Sequence, residues 1–105
     1  MMKFENCKNE IERQIIVALV EDALVAGFIV SVNDGAESKD EAVIFAEMNS
    51  IDVDYLYLRR EGMSTQWVQL VYGNGCDVMS NWTCELSDRT NVMKRAEELA
   101  KRFAG

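Results

Sequence analysis

The chain has 105 residues, 18 acidic against 11 basic, for a formal charge of −7, and 49% of it is apolar. A single domain of that length buries roughly 65% of its unfolded surface and needs no staples. The charge disfavours nucleic-acid backbones and anionic membranes, which reward clustered Lys and Arg. Three cysteines without CxxC spacing, in a chain lacking histidine, indicate neither a zinc site nor a disulfide framework and point to a reduced, cytoplasmic setting.

The first ten residues carry no apolar leader core, and the longest apolar run, Ile15 to Val20, is too short to cross a bilayer. From Asn9 to Ala26 apolar residues recur at helical spacing, Ile11, Ile15, Leu19 and Ala23 on one line with Ile16, Val20 and Leu24 beside it. Gly27 closes that helix as a left-handed cap. Phe28 to Val32 switches to a β-branched strand that ends at the turn Asn33-Asp34-Gly35. Ser38-Lys39-Asp40-Glu41 spells a capping box for a second helix reaching about Asn49, with Ile44, Phe45 and Met48 buried.

From Val53 to Arg60 a second strand alternates, Tyr55 and Tyr57 on one face and Leu56 and Leu58 on the other. A turn at Glu61 to Ser64 with an even number of residues joins Leu56 and Leu58 to the Trp67 face, and Tyr55 and Tyr57 to Val68, Leu70 and Tyr72. Asn74-Gly75 then predicts a two-residue type I′ hairpin that pairs Val71 with Val78, Leu70 with Met79 and Trp67 with Trp82. A last helix starts near Asp88 and carries Val92, Ala96, Leu99, Ala100 and Phe103. The expected fold is α+β, an antiparallel meander plus one further strand with three helices, in the order α-β-α-β-β-β-α. Three helices either cover both apolar faces of the sheet or leave one for a partner or a second copy.

Chemistry has few footholds. Without histidine or a nucleophile elbow no nucleophile–base pair can be assembled. Asp52 and Asp54, two apart in an extended segment, and Asp77 near the hairpin turn are the candidates for a small enzyme. Gly73-Asn74-Gly75 lacks the following helix that an anion-binding loop needs. The aromatic residues carry more information. Tyr55, Tyr57 and Tyr72, rimmed by Asp52 and Asp54, are the candidate partner-binding residues, and the scarcity of nearby basic residues argues against base stacking. No metal, cofactor or catalytic residue is expected.

The segment Trp67-Val68, Val71-Tyr72-Gly73-Asn74-Gly75 and Asp77-Val78-Met79-Ser80-Asn81-Trp82-Thr83, with Asp34-Gly35 and Asn49-Ser50-Ile51-Asp52 before it, resembles a group of small uncharacterised proteins of phage, prophage and bacterial genomes. Their hairpin reads W-V-x-x-V-Y-G-N-G-x-D-V-I-S-D-Y-T. Asn81 stands where that pattern has an acid, and Trp82 where it has tyrosine. The resemblance implies a mobile-element accessory protein that inhibits or adapts a host factor by protein–protein contact. The alternatives are a nucleic-acid mimic that occupies a basic groove, and the small enzyme.

Overall fold

The computed structural model describes residues 3–105. Helix α1 spans Glu10–Val25. Asn9 starts it by accepting the Glu12 N–H (3.1 Å), and Gly27, at a φ of +90°, turns the chain out beyond its end. Arg60 closes that end. Its guanidinium donates to the Ala26 carbonyl (3.0 Å) and lies 4.6 Å from the Phe28 ring centroid, placing a cation at the helix's negative pole.

Strand β1, Ile29–Val32, ends in a turn where Asn33 (φ +51°) and Asp34 (φ +64°) are both left-handed and the Gly35 N–H donates to the Val32 carbonyl (2.8 Å). This type I′ pattern folds the chain back so that Ser38 pairs with Val30. Helix α2, Glu41–Glu47, is capped by Asp40, whose side chain accepts the Ala42 N–H (2.9 Å). Ser38 is therefore not the cap. Its backbone is held by β1, and its hydroxyl accepts the Asp40 N–H (3.0 Å) instead. Ile44, Phe45 and Met48 are buried, as the helical spacing predicts.

Strands β2 (Val53–Arg59), β3 (Gln66–Val71) and β4 (Met79–Trp82) complete an antiparallel sheet in the order β1-β2-β3-β4, so the fold is α+β. The expected parity between β2 and β3 is overturned. Leu58 pairs with Gln66, which encloses the odd stretch 59–65, and Tyr57 pairs with Trp67. Leu56, Leu58, Val68 and Leu70 thus share the core face, while Tyr55, Tyr57, Trp67 and Gln69 share the other.

Unlike the turn after β1, the β3–β4 connection is not type I′. Asn74 sits at φ −90°, the positive φ values fall on Gly73 and Gly75, and a 3-10 turn spans Gly75–Asp77. Leu70 does pair with Met79, but a bulge then sets Gln69 against Asn81 and Val68 against Trp82. Met79 and Trp82 are three apart and could not share a face of a regular strand. The extra residue lets both turn to the core side and sends Asn81 outward.

The last helix starts later than its spacing predicts, α4 at Lys94–Ala104, and an unexpected short helix, α3 at Cys84–Asp88, precedes it across a break, giving four helices among the described residues rather than three. Asp88 ends a helix instead of starting one. Thr90 sits in the break, its hydroxyl bonded to the Leu86 carbonyl and accepting the Val92 N–H (3.2 Å). Arg95 fastens α4 to α1 through Glu21 (2.6 Å) and Asp22 (3.1 Å).

Ile15, Ile16 and Leu19 of α1, Ile44 of α2, Leu86 of α3 and Ala96 of α4 join Val30, Leu56, Leu58, Val68 and Leu70 in one core. The helices therefore cover one face of the sheet. Among the described residues no helix is long and apolar enough to cross a membrane.

Candidate functional site

The uncovered face of the sheet carries Ile29, Ser31, Val53, Tyr55, Tyr57, Arg59, Trp67, Gln69 and Val71, each set there by strand parity. Tyr55 and Val53 are each 37% exposed, and Tyr57 and Trp67 are half-buried against one another as a direct cross-strand pair. Tyr55 lies 6.4 Å from Tyr57 in a stacked arrangement and 6.5 Å from Trp67 at 63°, centroid to centroid. The Gln69 amide donates to the Tyr55 hydroxyl (2.8 Å). These contacts hold three aromatic rings in fixed orientations on a surface no helix shields, an arrangement that binds at low ordering cost.

One edge of the sheet is covered, and the other is short and irregular. Val30 on β1 exchanges both backbone bonds with Ser38 (3.0 and 2.8 Å). On short, bulged β4 the Trp82 N–H donates to its neighbour's side chain, Asn81 Oδ1 (3.0 Å). Strand addition is thereby discouraged at both sides, and the face is left as the surface for contact.

Charge on the face is confined to one pair. Arg59 holds Glu37 through two nitrogens at 2.6 and 2.8 Å, and that hydrogen-bonded guanidinium keeps the Glu37 carboxyl below the usual carboxylate value. At the opposite end of the strands Asp34, Asp52 and Asp77 are exposed.

The structure separates the five candidate partner-binding residues. Tyr55 and Tyr57 lie on the open face, and Asp52 is exposed at its end. Asp54 is 0% exposed. Its Oδ1 accepts Asn33 Nδ2 (2.8 Å), and its Oδ2 accepts the N–H groups of Asn49 (2.9 Å) and Ser50 (3.3 Å) and the Tyr72 hydroxyl (2.9 Å). Tyr72 therefore packs toward the core, away from the other two tyrosines. Burial first, and then the adjacent Asp54 carboxylate, push its phenol far above the usual value of 10.0. Asp54 and Tyr72 build the framework behind the face and offer a partner nothing. Nor do Asp52 and Asp54 form an open pair of carboxylates.

Two residues outside the expected set matter. Trp67 belongs to the face through the inverted parity, and Gln69 and Arg59 were the signals, since each marks its side of its strand as the wet one. Glu12 is the second, only 2% exposed. Its Oε2 accepts the Gly73 N–H (2.8 Å) and the Gly75 N–H (2.7 Å), so the glycine loop does cradle an anion, and that anion is the chain's own. A separation of more than sixty residues along the chain leaves no local signal for it.

Comparison of the chain with protein-family models, with curated proteins and with solved structures finds no match.

Proposed function

We propose that this protein works by protein–protein contact through the open sheet face, with Tyr55, Tyr57 and Trp67 as anchors. The observation that carries the reading is that the helices cover one side of the sheet only, while ordered aromatic rings stand on the other. Aromatic anchors supply contact area with few rotamers to freeze, and a rim of water-facing groups sets orientation. The resemblance to phage and prophage proteins supports the narrower role of a cytoplasmic inhibitor or adaptor of a host factor.

The test is capture of a partner from host lysate on the tagged protein, beside the Tyr55→Ala/Tyr57→Ala double variant. The variant is expected to lose the partner while its thermal midpoint stays within about 5–10 °C of the parent, as removal of surface aromatics implies. A partner retained undiminished by the folded double variant would refute the assignment.

A further inference from the structure

The chemistry of the occupant follows from how charge is laid out around the face. At the end where β2 begins and β3 finishes, three turns meet: Asn33 to Gly35, which follows β1; Asn49 to Asp52; and Tyr72 to Asp77. Their proximity is recorded by the bonds from the Asn33 N–H to the Tyr55 carbonyl (2.9 Å) and from the Tyr72 N–H to the Asp52 carbonyl (2.9 Å). The first two contribute exposed Asp34 and Asp52 and contain no Lys or Arg, whereas the third lays Gly75–Asp77 against α1 and α4 on the covered side. Lys8, at the nearby start of α1, directs its ammonium to the Glu5 carbonyl (3.4 Å). At the other end the face's own cation, Arg59, is consumed by Glu37.

A partner approaching the face thus meets aromatic rings and an unbalanced negative rim on a chain of formal charge −7. A second copy meeting it face to face would bring the same acids, while the one cation on its face, Arg59, is already held by Glu37. A nucleic-acid strand would bring further negative charge. Resting on the reading of the face as a protein-binding surface, we infer that its occupant is a cationic, arginine-bearing segment of a partner protein. Guanidinium planes stack on Tyr55, Tyr57 and Trp67, and neighbouring basic residues reach Asp34 and Asp52. Guanidinium suits both halves of the site, because it is weakly hydrated, stacks on aromatic faces and pairs with carboxylates. The acidic rim would also speed encounter with such a segment.

The probe is a nona-arginine peptide, with nona-glutamate as control, titrated at about 0.1 M salt, where surface fields reach about 10 Å. Trp82→Phe leaves Trp67 as the only tryptophan, so its emission reports on the face. Nona-arginine is expected to change that emission saturably and nona-glutamate to leave it unchanged. Asp34→Asn/Asp52→Asn should weaken the peptide at least tenfold, and so should Tyr55→Ala/Tyr57→Ala in the same background. No saturable change with nona-arginine overturns the inference. Binding that follows the acids but ignores the tyrosines also overturns it, because it would be attraction to net charge alone. A lysate partner that needs Tyr55 and Tyr57 but is not displaced by excess nona-arginine would refute the cationic chemistry and leave the face standing. A partner indifferent to the tyrosines would refute the face itself.

Discussion

Asp54→Ala should cost about 3–5 kcal/mol of stability, the largest loss expected from any single side chain here, and lower the thermal midpoint by roughly 15–25 °C. Four donors converge on this carboxylate, and it is fully buried. Its removal deprives two backbone N–H groups of the α2–β2 connection, a phenol and an amide of their common acceptor. These groups fix three separate segments, because Asn33 belongs to the turn after β1, Asn49 and Ser50 to the entry into β2, and Tyr72 to the exit from β3. Asp54→Asn should be less severe, about 2–3 kcal/mol, but not mild. The Asn33 amide cannot turn over to suit it, since Asn33 Oδ1 already accepts the Tyr55 N–H (2.8 Å), so two NH₂ groups would face each other. Chemical denaturation of the two variants checks the order. Equal, small losses would show that the carboxylate is not the hub of this end of the molecule.

Glu12→Ala should cost about 2–4 kcal/mol and act at a distance, on the β3–β4 connection. The glycines on either side of Asn74 hold left-handed φ values of +97° and +60°, which aim both N–H groups at a single carboxylate oxygen from α1. Without that oxygen the turn loses its only side-chain acceptor for those two groups among the described residues. Amide exchange at Gly73 and Gly75 should accelerate far more than in the middle of α1. Glu12→Gln keeps an acceptor oxygen and should retain most of the protection. If alanine left exchange at both glycines unchanged, the clamp would not be what shapes the turn.

What could be read in advance, and what could not, divides along range. The first helix was legible from Asn9 to Gly27 because its period and both ends are local, and the strands were legible because alternation is local too. The pairing of β2 with β3 was not, since it depends on whether the loop between them encloses an odd or an even number of residues. That single unit exchanged the neighbours of Tyr57. The Asn-Gly pair at Asn74 was misleading because Glu12 rewards a different turn, one that presents two N–H groups to it. Ser38 has the local pattern of a cap, but its backbone is taken by Val30. Asp88 suits a helix start by residue type, but it closes α3, and the Thr90 hydroxyl claims backbone groups of the break that follows. As for the candidate site, Tyr55, Tyr57 and Asp52 could be picked from the strand pattern. Asp54 and Tyr72 look like surface residues in the strand pattern and serve the interior, because an acid two residues from an exposed one gives no hint that four donors await it.

The central claim is that one side of the sheet is core and the other is free for a partner, and neighbouring residues of β2 test it most directly. Leu56→Ala and Tyr57→Ala should be compared by denaturant unfolding under identical conditions. Leu56 is 1% exposed on the covered face, so its truncation should cost about 2–5 kcal/mol. Tyr57 has a cross-strand neighbour in Trp67 but no helix over it, and its truncation should cost about 1 kcal/mol. A Tyr57 variant as destabilised as the Leu56 variant would mean that both faces are packed, and the binding surface proposed here would not exist.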